Sequence, residues 1–185
     1  HGGWDSGTKT GAITVTASNG DILVQGGEGN TTAANYNFAQ IGHGGYGNGA
    51  TQTIANQAVT VTAGGSVTVN GGTTRASFAQ IGHGGHGATS FFLGAFGGDV
   101  EVKAGGAVIL KGGSQLNTHA QIGNGGSGVK GDLSGNVLVE SGTGGIGLEG
   151  GVGTYSYTLI GNGGYDVDRP ISGDVTVNAK GAAAT

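Results

Sequence analysis

No cysteine and no methionine occur in the 185 residues, proline occurs once, at Pro170, and charged side chains make up only 10% of the chain. Without cysteine there is neither a disulfide framework nor a thiolate metal site. A lone proline and the lack of a strict Gly-X-Y period exclude a collagen triple helix. Seven Lys and Arg against eleven Asp and Glu leave a formal net charge of -4. That is no basic footprint for phosphate backbones, so nucleic acid is not an expected partner. No run approaches the roughly 18 consecutive apolar residues of a membrane span, and no amphipathic helix with a basic face is visible, so no membrane span is expected. The chain starts at His1 with neither an initiator Met nor a signal peptide, and is expected to be a mature chain, a proteolytic piece or part of something longer.

Glycine is what the chain has in excess, at 46 residues, several times ordinary usage. The glycines separate short runs of Val, Ile and Leu that alternate with polar residues, the pattern of a folded chain rather than a flexible linker. One phrase recurs: "FAQIGHGGYG" from Phe38, "FAQIGHGGHG" from Phe78, "HAQIGNGGSG" from His119 and "YTLIGNGGYD" from Tyr157. Its isoleucines, Ile41, Ile81, Ile122 and Ile160, are separated by 40, 41 and 38 residues. An apolar-x-apolar signature occurs at Ile13/Val15, Val59/Val61, Val100/Val102, Val137/Val139 and Val175/Val177, and another follows at Ile22/Val24, Val67/Val69, Val108/Leu110 and Ile146/Leu148. Each repeat therefore carries three short strands. Extra length falls at "EGNTTAAN" (Glu28 to Asn35), "NGATQTIAN" (Asn48 to Asn56) and "SFFLGAFG" (Ser90 to Gly97), as loops on a constant scaffold would place it.

Strands of this length cannot bury their own apolar stripe, and stacking equivalent strands in register, about 4.8 Å apart, is the economical solution. The expected fold is all-β: a parallel β-helix or β-solenoid of about four coils of ~40 residues with three strands each. We read residues 1–185 as a single segment, with repeats at approximately 1–42, 43–82, 83–123 and 124–161 and a partial one at 162–185. Glycine serves the sharp corners. Asp21, Asp99, Asn136 and Asp174 before strands fit side chains that hydrogen-bond the turn backbone, a structural role favoured over calcium binding.

The segments "AITVTASNGDILVQGG", "AVTVTAGGSVTVNGG" and "DVEVKAGGAVILKGG", each followed by a variant of "AQIGHGG", resemble the repeats of filamentous haemagglutinin-like adhesins, the large exoproteins of bacterial two-partner secretion. The resemblance covers nearly the whole chain, although the amino-terminal secretion domain and a capping element are not recognisable in it. It implies a right-handed parallel β-helix, secreted or at the bacterial cell surface, working in attachment, aggregation or biofilm matrix.

His1, His43 and His83 fall at one repeat position, where Asn124 and Asn162 stand in later coils. Stacked imidazoles can hold a transition metal. The exchange with Asn favours a structural turn ladder at His43, His83, Asn124 and Asn162, and neither a metal nor a cofactor is expected. Phe38, Phe78, His119 and Tyr157 form an aromatic column that alternation places outside if Ile41 and its equivalents point inward. They are candidate glycan or partner contacts, or rings that stabilise the coil. "SFFLGAF" is too apolar for a solvated loop, so Phe91, Phe92 and Phe96 are expected to pack over a scaffold face or into a partner. "GGYDVDRPI" (Gly163 to Ile171) is a single imperfect match to the calcium β-roll motif, leaving at most an opportunistic ion near Asp166 and Asp168. Outward threonines at Thr14/Thr16 and Thr60/Thr62 give way to Glu101/Lys103 and Leu138/Glu140, which breaks an ice-binding lattice. Asn30 opens a glycosylation sequon. Clustered carboxylates of the polysaccharide-cleaving β-helices are not evident, and Glu101, Lys103, Lys111, Glu140 and Glu149 alternate in sign as on a solvated face. The expected function is a non-catalytic adhesin shaft or filament subunit, the alternative a polysaccharide-binding or polysaccharide-cleaving β-helix. Expected partners are further copies of the chain (head-to-tail or lateral), further repeats of a longer parent, or surface glycans.

Overall fold

The computed structural model describes residues 7–29, 36–47, 51–87 and 92–181, with the side chains of residues 92 and 93 left aside. Among these there are strands and turns and no helix. Alternating β-branched residues favour a pleated conformation, and successive passes of the chain lie parallel and in register. The first sheet stacks Ile13–Ala17, Val59–Ala63, Val100–Ala104, Val137–Ser141 and Val175–Ala179. The second stacks Ile22–Gln25, Val67–Asn70, Val108–Lys111 and Ile146–Glu149, and the third Ala39–Ile41, Ala79–Ile81, Ala120–Ile122 and Thr158–Ile160. The protein is a β-solenoid whose turns are ~40 residues long, as the repeat length dictates.

Pairing is residue-for-residue. Val59 partners Ile13 below and Val100 above, and Ile81 lies between Ile41 and Ile122. The inward ladders of the three sheets meet in one core, in which Val59, Val61, Val67, Val69, Ile81, Val100, Val102, Val108, Leu110 and Ile122 are fully buried. Burying a Val, Leu or Ile side chain contributes about 1.5–3 kcal/mol each. The stack therefore gains mainly from its middle coils, where every ladder residue has a neighbour on both sides.

Three strands per coil is too few. Beyond the third sheet the chain bends and adds a sheet made almost of glycine: Gly44–Gly47, Gly84–Gly87 and Gly125–Ser127. A further layer pairs Phe92–Gly97 with Val129–Ser134, and Gly7–Thr8 with Gln52–Thr53. Two of the expected loops, around Gln52 and Phe92, are thus strands of this outer layer. Asn30, with the rest of its insertion through Asn35, lies outside the described residues, as do His1, Asn48 to Ala50, Ser90 and Phe91. The outer layer has its own small core of Ile54, Phe96, Val129 and Leu133, with Val167 packed against it.

The glycine sheet exists because nothing larger fits. A β-carbon on Gly85, whose φ is 133°, would overlap the carbonyl oxygen of Gly45 in the coil below, and one on Gly84 would overlap that of Gly125 above. The carboxamides and carboxylates before the strands do hydrogen-bond turn backbone, and the turn they reach is that of the next coil. The Oδ1 of Asp21, Asp99 and Asn136 accepts a backbone N–H from Ser66, Asn136 and Asp174 of the next coil at 2.7, 2.8 and 2.9 Å. They tie one coil to another rather than closing their own turn.

Gly85→Ala is expected to destabilise the fold by roughly 3 kcal/mol or more, from left-handed strain plus overpacking. Gly20→Ala, at a glycine with ordinary φ and open space around it, should change stability by less than about 0.5 kcal/mol. Urea midpoints of the two variants check this, and equal midpoints would contradict it.

Candidate functional site: side-chain columns beneath the glycine sheet

The corner between the third sheet and the glycine sheet gathers the polar residues that carry the most chemical potential by type. His43 and His83 stack with ring centroids 5.1 Å apart and planes 9° apart. The His43 backbone N–H donates to Nδ1 of His83 at 3.1 Å, the His83 N–H to Oδ1 of Asn124 at 2.9 Å, and the Asn124 N–H to Oδ1 of Asn162 at 2.9 Å. On its far side each side chain reaches the entrance of the first strand of its own coil. His43 Nε2 lies 2.7 Å from the Gly11 carbonyl and His83 Nε2 2.6 Å from that of Gln57. Asn124 Nδ2 donates to Gly98 O at 2.8 Å and Asn162 Nδ2 to Gly135 O at 2.7 Å.

This fixes the chemistry of the column. Because Nδ1 of His83 accepts, its proton is on Nε2, where it donates to Gln57 O. A neutral Nε2–H imidazole presents one acceptor and one donor in the same order as a carboxamide presents Oδ1 and Nδ2. That is the physical basis of the His and Asn exchange along the repeat. Both His83 nitrogens are engaged, which leaves no lone pair there for a metal. Among the described residues no group of three or more His, Cys, Asp or Glu is placed to hold an ion.

The aromatic column lies beside it. Phe38, Phe78, His119 and Tyr157 stack at centroid distances of 4.9, 5.0 and 4.9 Å with interplanar angles of 2°, 2° and 6°. The outward placement expected for them needs correction. They do point away from the main core, but the glycine strands lie over them, so Phe78 and His119 are fully buried and only Phe38, at 37%, keeps a substantial exposed face. A β-carbon on Gly45 would press on Phe38 Cζ, which shows why the covering strand is glycine. Phe78 and His119 offer no face to a glycan. Of the two placements expected for Phe96, over the scaffold or into a partner, the structure has the first: it is fully buried in the outer core and its backbone bridges Ile54. Phe91 lies outside the described residues, and Phe92 opens the strand paired with Val129–Ser134.

The structure also assembles a column not singled out from the residues. Gln80 Nε2 donates to the carbonyls of His83, Gly123 and Gly125 at 3.1, 3.0 and 3.3 Å, and Gln40 and Gln121 repeat the arrangement. The signal was present: Gln stands two residues after the ring position in three of the four phrases, and Leu159 ends the series. Near the carboxyl end, Lys130 Nζ sits 2.8 Å from Asp166 and 3.3 Å from Asp168, so an ammonium occupies the space between the two carboxylates. Glu101, Lys103 and Glu140, and Lys111 with Glu149 at 3.2 Å, form exposed ion pairs on the outer faces.

Three imidazoles enter the fold neutral. Burial is the main cause in each: it lowers His83 and His86 to about 4 and His119 to about 3. The Gln57 carbonyl works in the opposite direction at His83, and the Arg75 charge adds to the lowering at His86. Neither ring nitrogen of His119 has a hydrogen-bond partner.

In the unfolded chain these groups protonate near 6.5. Below that pH the unfolded state binds protons that the folded state does not, so the full stability present above about 6.5 is lost progressively toward about 4. Urea midpoints should be flat from pH 8 to 7 and fall steeply below 6, and a flat midpoint down to pH 4 would contradict the neutral columns. His83→Ala removes the hydrogen-bond partner that His83 gives to the His43 N–H and to the Gln57 carbonyl and is expected to cost roughly 2–6 kcal/mol, at about 1–3 kcal/mol per group, whereas His83→Asn should cost less than about 1 kcal/mol. His119→Phe removes two unpartnered nitrogens while extending the phenyl stack. It is expected to stabilise by roughly 1–3 kcal/mol and to make the acid dependence shallower.

No protein-family model, no curated protein and no solved structure matches this chain.

Proposed function

We propose that this chain is a non-catalytic structural protein: a length of stiff β-solenoid shaft that works outside the cell or on a bacterial cell surface, in attachment, aggregation or biofilm matrix. The observation that carries the reading is the unbroken register of the first sheet, in which each strand pairs residue-for-residue with the next through five passes. Such a stack advances about 4.8 Å per coil and resists bending, because every advance adds backbone hydrogen bonds and ladder contacts on several faces. The His and Asn column, which by residue type is the best candidate for chemistry, is occupied in holding backbone together. The resemblance to haemagglutinin-like adhesin repeats supports the same reading. Val175 and Val177 on the last strand of the first sheet remain 49% and 47% exposed. A further coil, from a longer parent chain or from a second copy, would pack there.

One feature favours polysaccharide binding as a second reading. A groove of about 320 Å³ runs along the axis beside the second sheet, with Gln25, Asn70, Lys111 and Glu149 on one wall and Thr73 and Ser114 on the other. Its floor backbone is already paired, since the N–H of Gly71 and of Gly112 donates to Lys111 O and Glu149 O at 2.8 Å. An added peptide strand therefore finds no partners there, and side-chain hydrogen bonds to a hydroxyl-rich chain are what the groove offers.

A bacterial host displaying the chain on its surface tests the proposal. Cells displaying the natural sequence should aggregate or attach to a surface several-fold more than cells displaying Gly85→Ala at equal surface abundance. Equal attachment would overturn the shaft reading. Attachment lost on changing Lys111 and Glu149 to Ala, with the fold intact, would favour the groove, and release of new reducing ends from a polysaccharide would replace both readings with an enzyme.

A further inference from the structure

Four of the five tyrosines form two pairs ten residues apart at equivalent repeat positions: Tyr36 with Tyr46, and Tyr155 with Tyr165. In the intervening coils the same two positions hold Ala76 with His86 and Asn117 with Ser127. The first position is left-handed in all four coils, at φ 48° for Tyr36, 58° for Ala76, 57° for Asn117 and 58° for Tyr155, so the repeat supplies the same bend whatever the side chain. Where both positions are tyrosine, that bend sets two phenol rings against each other. At Tyr155 and Tyr165 the centroids are 3.8 Å apart with planes 22° apart, a face-to-face contact at the short end of aromatic pairing. The neighbouring Tyr155 hydroxyl raises the pKa of the Tyr165 phenol. Hydroxyls side by side on stacked rings bring the carbons ortho to them together. Both rings are open to solvent, at 42% and 40%. The other pair is comparably close at 4.0 Å but tilted by 39°, and Tyr46 is only 5% exposed.

We infer that Tyr155 and Tyr165 are an oxidative cross-linking site, at which a peroxide acting through a haem peroxidase couples the two phenols into a dityrosine staple. Each phenol gives up one electron and its hydroxyl proton, and the two radicals form a carbon–carbon bond between ortho carbons. Each coupled carbon then loses its hydrogen as a proton while the oxygen regains one, restoring both aromatic phenols. The protein has lost two hydrogen atoms in all, and the peroxide, taking up two electrons and two protons as its O–O bond breaks, becomes two waters. The staple spans the bend around Tyr157 and fastens the glycine strand over the aromatic column. In a chain without cysteine it is a covalent tie that needs no thiol. The inference stands whether or not the chain is an adhesin shaft.

The full chain at low micromolar concentration is treated with a haem peroxidase and hydrogen peroxide, then analysed by intact mass and chymotryptic mapping, which cuts between the two tyrosines. The expected result is a monomer lighter by two hydrogens and a cross-linked peptide pair joining Tyr155 to Tyr165. That pair should be lost in Tyr155→Phe and in Tyr165→Phe, which keep both rings, and retained in Tyr36→Phe. Circular dichroism confirms that each variant folds. Dityrosine found only between molecules, a staple that survives in Tyr165→Phe, or oxidised tyrosines without the Tyr155–Tyr165 peptide would each overturn the inference.

Discussion

A pass of chain that lies one strand spacing, about 4.8 Å, above its neighbour leaves no room for a β-carbon wherever the backbone of the two passes comes face to face. That constraint governs the molecule. It demands glycine along the covering sheet at Gly44, Gly84 and Gly125, and again in the bend after the second sheet, where a β-carbon on Gly71 or Gly112 would overlap the next coil. In return it lets backbone N–H and carbonyl groups of adjacent passes meet directly, and it stacks each side chain on its equivalent in the next coil. A glycine-rich composition is thus the condition for close stacking, and the chain is ordered because of it.

Once side chains are stacked in columns, each column needs one kind of chemistry from end to end. Apolar ladders share a core. The His and Asn column passes hydrogen bonds from one coil to the next through one acceptor and one donor per rung, and it accepts either residue because the two present the same pair of atoms. The Gln column binds carbonyls of the corner that the strands leave over. The ring column tolerates Phe, Tyr and His by shape, and the weakest fit is His119, which matches the flat ring but leaves two nitrogens without partners. Neutral imidazoles are a consequence of this arrangement: a proton on His83 Nδ1 would face the His43 N–H, and among the described residues no carboxylate acts on the His83 ring.

The three-strand frame was legible in the residues because two-residue alternation of Val, Ile and Leu recurs in every coil, as at Val59/Val61 and, 41 residues on, Val100/Val102. The covering layer was not. A strand such as Gly84–Gly87 has no hydrophobic alternation to detect, and Phe92–Gly97 falls where repeat lengths vary, so it read as a loop. For the same reason the parity that takes Phe78 off the main core was apparent while its burial was not, since the layer that buries it is glycine. The turn role of His43 and His83 could be argued from their exchange with Asn, but the direction of their bonds, coil to coil, needed the stacked geometry. The paired tyrosines escaped notice because a ten-residue separation belongs to no periodic pattern of helix or strand.

The shaft role we propose would draw on length and stiffness from a short repeat, with outer faces of Thr, Asn and paired charges free to vary. That role depends on the columns being as described. Nitrogen-15 NMR of the histidine-labelled protein at neutral pH tests it most directly, by reading the tautomer of His83 and the coupling across its hydrogen bond to the His43 amide. The columns predict a neutral ring with its proton on Nε2 and a coupling from the His43 amide nitrogen to Nδ1. A proton on Nδ1, or a charged imidazolium, would contradict the ladder and with it the stacking on which the account rests.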